Sequence, residues 1–322
     1  MNYTKQIQDI AAKLFAEGKI DVFVGYRLNG FDDNQVPVLI TDPQDVSKLV
    51  FTDKSVFNLV NYLKTDHTRR KRIGLVVKGC DSRSLNLMLT ESQVKRENLY
   101  VVGICCEGVV DDTGQKMQNC TECVVPDAVV YDELLGTSGR DGSGRDGSGS
   151  RDGSGSRDGS QTHPYATTHP YATTHPYAAT HPYTVNVDIA ALAEKPLTER
   201  AAYFEEIFEN CIRCNACRHS CPLCYCAKCC IDQETATLYN GANTTSAAFH
   251  ALMTWSLHLA GRCVDCRNCE KACPMHLPLH LLHKQNESVI YENFQEHLAG
   301  VIPEDRGAFY KYSLKDPDDF IM

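Results

Sequence analysis

The first seventeen residues after the initial pair, YTKQIQDIAAKLFAEGK, put Ile7, Ile10, Ala11, Leu14 and Phe15 at helical spacing, and Gly18 then offers a stop. DVFVGYRL (21–28) and VPVLI (36–40) are short, apolar and rich in β-branched residues, which predicts strands. DPQDVSKLVF and SVFNLVNYLK predict short helices. RIGLVVKG (72–79) and LYVVGIC (99–105) are continuous apolar runs of the buried-strand type. Between them SLNLMLTES predicts a helix, with Asp81 or Ser82 as its cap. That order is a βαβ unit, so residues 1–135 are expected to form an α/β domain with a parallel sheet.

The pattern is lost over 136–184. Arg-Asp-Gly-Ser recurs from Arg140, Arg145, Arg151 and Arg157, and Thr-His-Pro-Tyr then brings His163, His169, His175 and His181 at a period of six. Gly and Ser build no core, and a proline every sixth residue blocks helix and ladder alike. The segment reads as a linker with incidental histidines, and with no aliphatic ladder it does not support a β-helix. Helical spacing returns in 185–322. EKPLTERAAYFEEIFENC places Phe204, Ile207 and Phe208 on one face after Pro196. SAAFHALMTWSLHLAGRC predicts an apolar helix ending at Gly261, HLPLHLLHKQN and ESVIYENFQEHLAG predict two more, and KDPDDFIM has no pattern. The third region is expected to be mainly α-helical.

The net charge of −9 argues against nucleic acid as a partner and suits a chain that docks on other proteins. The basic run HTRRKR (67–72) reads as a solvated face. No apolar stretch has the length of a membrane span, and the start carries no basic-then-apolar leader. There are 17 cysteines, an odd number. Without a leader this is not a disulfide framework; it predicts metal or redox chemistry in a reducing cytoplasm.

Spacing sharpens the prediction. Cys211-x2-Cys214-x2-Cys217-x3-Cys221-Pro222 recurs as Cys263-x2-Cys266-x2-Cys269-x3-Cys273-Pro274. This is the run that holds a 4Fe–4S cube, and in two-cluster proteins its fourth cysteine ligates the other cluster. Three thiolates two residues apart wrap one cube; the longer step and the proline turn the fourth away. Crossed ligation is therefore expected. Cys211, Cys214, Cys217 and Cys273 would hold one 4Fe–4S cluster, and Cys263, Cys266, Cys269 and Cys221 the other. Zinc knots use paired CxxC or Cys/His mixtures rather than this run. No aspartate replaces a ligand, so complete cubes are expected rather than three-iron clusters. Arg213, Arg218 and His219 would raise the potential of the first cluster by their charge.

Two further groups are candidates. Cys224, Cys226 and Cys229, beside Cys230, could supply a third centre or tune a neighbouring cluster as thiols. In the α/β half, Cys80 and Cys106 follow successive parallel strands, and the carboxyl ends of strands form the ligand edge of an open sheet. With Cys120 and Cys123 of NCTEC they make a four-thiol candidate for a further iron–sulfur cluster or a structural zinc, with buried inert cysteines as the alternative. Lys78, Asp81, Ser82 and Arg83 at the following helix start could hold an anion such as a phosphate, or could cap and pair structurally.

These motifs carry a resemblance. GRCVDCRNCEKACPMHLPLHLL resembles the helical two-cluster ferredoxin domains of heterodisulfide reductase, fumarate reductase and related anaerobic electron-transfer subunits, over about residues 200–290. CPLCYCAKCC resembles the CPxCYCxxC variant in beta subunits of the formate dehydrogenase and deazaflavin-reducing hydrogenase family. KGCDSR with the VVGxxCxG pattern is similar to the domain preceding the ferredoxin part in that family, over about 70–125. The resemblance implies an electron-transfer subunit docked to hydrogenase, formate dehydrogenase or heterodisulfide-reductase-type subunits. In that family the beta subunit carries FAD and exchanges electrons with a deazaflavin or similar acceptor; the α/β half of this chain has no GxGxxG and no matched FAD-contact residue. A flavin-dependent reductase with its own catalytic site and a metal-binding redox sensor are the alternatives. No catalytic residue can be named.

Overall fold

The computed structural model describes residues 1–68, 70–136, 187–232, 243–294 and 298–302. The Arg-Asp-Gly-Ser and Thr-His-Pro-Tyr repeats and the acidic end lie outside the described residues. Helix α1 (Thr4–Ala16) buries Ile7, Ala11 and Leu14 and leaves Ile10 and Phe15 half-covered. Gly18 follows at φ 61°. Strands β1 (Val22–Leu28) and β2 (Gln35–Ile40) form an antiparallel pair. The two stretches expected to be short helices are 3₁₀ segments, Pro43–Lys48 and Leu59–Lys64.

Then comes the βαβ unit: β3 (Ile73–Val77), α2 (Gly79–Thr90) and β4 (Leu99–Ile104), with β3 and β4 parallel and in register from Ile73–Leu99 to Val77–Gly103. A short strand β5 (Glu133–Leu135) adds parallel to β4. The sheet order is β2-β1-β3-β4-β5. The expectation of a parallel sheet is thus corrected to a mixed one: β1, β3, β4 and β5 run parallel, and β2 returns antiparallel at the edge because only six residues separate it from β1, too few for a crossover. The cap is also corrected. Helix α2 starts at Gly79, and Asp81 acts from inside the first turn, its carboxylate accepting the Lys78 N–H at 3.2 Å. A side chain at Gly79 would meet the Val125 carbonyl at 2.1 Å, so only glycine allows this close approach.

A short helix α3 (Gln118–Thr121) closes the α/β half. The other half is helical: α4 (Val187–Ala193), α5 (Leu197–Glu209), α6 (Ala216–Ser220), α7 (Thr245–His258), α8 (Asn268–Lys271) and α9 (His280–Phe294). Pro196 precedes α5, which buries Ile207 and Phe208. Thr244 caps α7, its hydroxyl accepting the Ala247 N–H at 3.2 Å. The last two predicted helices are one continuous element, because nothing between His280 and Phe294 breaks the hydrogen-bond ladder.

One apolar core runs through both halves, from Ile7, Phe23 and Leu75 to Trp255, Leu279 and Val301. Each large buried side chain contributes about 1.5–3 kcal/mol. An exposed ion pair such as Lys5–Asp9 adds at most about 1 kcal/mol, so the shared core decides stability. Polar clasps set the register of the halves. The Arg83 Nε–H donates to the Ala299 carbonyl at 2.8 Å, and the Asn86 amide donates to Gly300 and Ile302 carbonyls at 3.0 Å. Glu91, at the end of α2, receives Arg262 bidentately at 2.8 and 2.7 Å and is also bonded by the Tyr225 hydroxyl. Its side chain is 5% exposed and that of Arg262 17%.

Breaking this pair from one side strands a charge. Glu91→Gln is expected to cost about 3 kcal/mol, the low end for a buried pair because Arg262 keeps some solvent. Denaturant unfolding should show a lower midpoint in one transition that takes both halves together; separate transitions for the halves would contradict the shared core.

Candidate metal centres

Two loops follow the same backbone path. In the first run Arg213 (φ 53°) and Asn215 (φ 59°) flank the middle cysteine; in the second, Asp265 (φ 56°) and Arg267 (φ 55°) do. None is glycine, so each left-handed residue costs about 1–2 kcal/mol. The return is local. Successive right- and left-handed residues turn backbone N–H groups inward and form an anion-binding concavity. The N–H of Arg213 bonds the Cys211 sulfur, and that of Asp265 bonds Cys263. Those of Arg218, Asn268 and Leu223 bond Cys217, Cys266 and Cys221. Helices α6 and α8 follow the loops in the same relative positions.

The side chains cross over. One cavity is walled by Cys211, Cys214, Cys217 and Cys273, three thiols of the first run and the last of the second. Burial raises Cys211 and pushes Cys217 up to about 12, and in both the charges of the other members add to the rise. Cys221 leaves its own run and joins the second. Burial drives Cys221, Cys263 and Cys266 up to about 12 and Cys269 well above its ordinary value. Cys263 adds to the rise of Cys221, Cys221 to that of Cys266, and Cys266, Cys263 and Cys221 to that of Cys269. Of these eight cysteines Cys214 alone is exposed.

Asn268 fixes the crossing. Its amide donates to the Ser220 carbonyl at 2.8 Å, and the Ser220 hydroxyl donates to the Asn268 carbonyl at 3.2 Å. Ser220 precedes Cys221, so these bonds deliver the fourth cysteine of one run to the other. The Asn268 side-chain oxygen also accepts the Asn58 N–H at 3.1 Å, and the Asn58 amide bonds the Cys266 sulfur. Lys64 Nζ, deep in the interface, donates to the Cys221 and Cys224 carbonyls at 2.7 and 3.0 Å. Sequence reading missed Asn58, Lys64 and Asn268, whose partners lie far along the chain.

The third group lies at the carboxyl edge of the sheet, as expected. Burial raises Cys80 well above its ordinary value, with the charges of Asp81, Cys266 and Cys106 adding to it. Cys106 is pushed up to about 11 by burial, and Cys120 and Cys123 add. Backbone N–H groups of Gly108 and Val109 bond the sulfurs of Cys106 and Cys120, each at 3.4 Å. Cys80 lies within electrostatic reach of Cys266, and the Asn119 amide donates to the Asp265 carbonyl at 2.9 Å, tying this group to the second loop. Cys105 faces away from it, towards Asp127 and Tyr3; burial takes it up to about 12. In the remaining set, burial raises Cys224, and the charges of Cys229 and Cys226 add. The free thiols of Cys229 and Cys230 are hydrogen-bonded to each other. Among the described residues no three His, Cys, Asp or Glu side chains converge on a point where a single metal ion would sit.

The anion-binding reading at the start of α2 is corrected. Lys78 Nζ is 2.8 Å from Asp81, 2.6 Å from the Tyr26 hydroxyl and 2.9 Å from the Phe57 carbonyl. Ser82 donates to the Gly79 carbonyl, and Arg83 spans to the helical half. These groups are buried and engaged inside the protein, so they cap and pair structurally.

No protein-family model matches the chain. Over 82 residues, 25% of this chain, it is 29% identical to the F420-dependent formate dehydrogenase subunit beta of Methanocaldococcus jannaschii, and the match spans 21% of that protein's length. No helix among the described residues is long and apolar enough to cross a membrane.

The first run carries Ala216 where the second carries Asn268. Asn268→Ala strands the Asn58 N–H and the Ser220 carbonyl, each costing about 1–3 kcal/mol when buried and unpaired. A drop of about 2–4 kcal/mol in denaturant unfolding is expected on that basis; a change within error would show that the crossing does not depend on this residue.

Proposed function

We propose that the chain is an iron–sulfur electron-transfer subunit of an oxidoreductase complex. The observation that carries this reading is the cavity walled by Cys211, Cys214, Cys217 and Cys273, which joins three thiols of one run to the last of the other. That is the division of ligands expected of a two-cluster chain. The inward backbone N–H groups supply the hydrogen bonds that a sulfur-rich anion needs. The donor set fits a 4Fe–4S cluster there and a second on Cys263, Cys266, Cys269 and Cys221. When bound, such clusters store and pass single electrons. The chain's own part is to hold the sulfurs, keep water from the inner ones and set potentials with N–H donors and charges such as Arg213 and Arg218.

The order of the centres follows from burial. Cys80, Cys106, Cys120 and Cys123 adjoin the second loop through Cys80 and Cys266, and suit a further cluster, with zinc as the alternative. Cys214, in the first group, is the exposed thiol of the two proposed cluster sets. Electrons would therefore exchange with a partner at the first cluster and with the α/β half beyond the second. Similarity to a formate dehydrogenase beta subunit supports a redox partner of the formate dehydrogenase type; partners of the hydrogenase or heterodisulfide-reductase type rest on the resemblance of the cysteine motifs.

Native mass spectrometry of the chain purified anaerobically from its host tests this reading. About eight irons with matching sulfide are expected for two clusters, and about four more if the α/β group holds another. Iron beyond that would make Cys224, Cys226 and Cys229 a site, and zinc in place of the last four irons would make the α/β group a zinc site. A chain with no iron would overturn the proposal, and a bound flavin would favour a reductase. Cys273→Ser should damage the cluster of Cys211, Cys214 and Cys217 more than that of its own run, read as the loss of one reduced-cluster signal in electron paramagnetic resonance. Loss of the other signal would refute the crossed ligation.

A further inference from the structure

Trp255 is the single tryptophan of the chain. It sits on α7 with 3% of its surface exposed, and it lines the cavity walled by Cys211, Cys214, Cys217 and Cys273. Its Nε1–H has no hydrogen-bond partner among the described residues. An indole nitrogen can only donate. A buried donor left without an acceptor costs about 1–3 kcal/mol, and a buried tryptophan ordinarily finds a partner for its N–H. The apolar side chains beside it in the wall, Ile231, Leu252 and Leu277, offer no acceptor. The sulfurs across the cavity do. His283 packs on the indole nearly perpendicular, with ring centroids 4.3 Å apart, and so restricts how the ring can turn.

We propose that the Trp255 Nε1–H donates a hydrogen bond to a sulfur of the cluster seated in this cavity, and that it thereby sets the potential of that cluster separately from its neighbour. The inference rests on the iron–sulfur reading above. The physical reason is charge. Reduction adds an electron to the cluster, and a donor aimed at its sulfur stabilises the more negative state, which raises the potential. The cavity that Trp255 lines includes none of Cys221, Cys263, Cys266 and Cys269, so the contribution falls on the cluster of Cys211, Cys214, Cys217 and Cys273. Trp255 is a positioning and tuning residue rather than a catalytic one.

The single tryptophan makes the test selective. The whole chain is prepared anaerobically with indole-15N tryptophan, which labels one nitrogen. Pulsed electron paramagnetic resonance of the reduced protein should show 15N coupling on the signal of the cluster of Cys211, Cys214, Cys217 and Cys273, and none on the other. Trp255→Phe, which keeps a ring and loses the donor, should lower the midpoint potential of that cluster alone in a redox titration, with iron content unchanged. An uncoupled 15N label, or an unchanged potential in a variant of full iron content, would overturn the proposal and leave the N–H spent on the face of His283. If the variant loses iron, the labelled wild-type protein still decides. A wild-type chain without iron would instead sink the iron–sulfur reading itself.

Discussion

Four residues held at positive φ are the constraint on which the rest of the structure turns: Arg213 and Asn215 in one loop, Asp265 and Arg267 in the other. None is glycine, so together they oppose folding by several kcal/mol, about 1–2 each. Relaxing any of them would swing a backbone N–H away from a sulfur. In the second loop ion pairs secure them. Arg267 is 2.7 Å from Asp265 and 3.2 Å from Glu270, and Lys284 reaches Asp265 at 3.3 Å. Asp265 stays below the usual carboxylate range despite its burial, because Lys284 and Arg267 outweigh the loss of water. The first loop leans on the helical half and opens at Cys214.

The α/β half does more than precede the helical one. Asn58, Lys64, Arg83 and Glu91 all leave it to hold backbone or side chains around the cysteine runs. Their bonds go to atoms beside the sulfurs, at Cys221, Cys224, Val264, Arg262 and Asn268. A helical two-run domain alone would lack these struts and part of the core. The arrangement also brings Cys80 within electrostatic reach of Cys266.

Much of this was legible in the sequence, for identifiable reasons. The runs CIRCNACRHSCP and GRCVDCRNCEKACP are local and their spacing carries geometry, so the grouping expected from them matches the side chains that line one cavity. The strands around KGCDSR were legible because buried parallel strands are continuous apolar runs, and strand ends predicted that Cys80 and Cys106 would approach. What escaped was of two kinds. The antiparallel return of β2 and the short β5 depend on sheet pairing, which periodicity does not record. Asn58, Lys64 and Asn268 are ordinary polar residues whose roles come from partners brought near by folding. KGCDSR left two readings open, an anion site or structural capping and pairing, and burial decides for the second by committing Lys78 to Asp81 and Tyr26.

Leu135 at the end of β5 and Ile189 on α4 are both buried, so the two points of the fold that flank residues 137–186 are anchored. Joining two fixed points by a longer chain costs entropy only with the logarithm of length, about 0.6 kcal/mol for each doubling. Evolution or engineering can therefore change the number of residues between these anchors at small thermodynamic cost, provided the anchors keep their places.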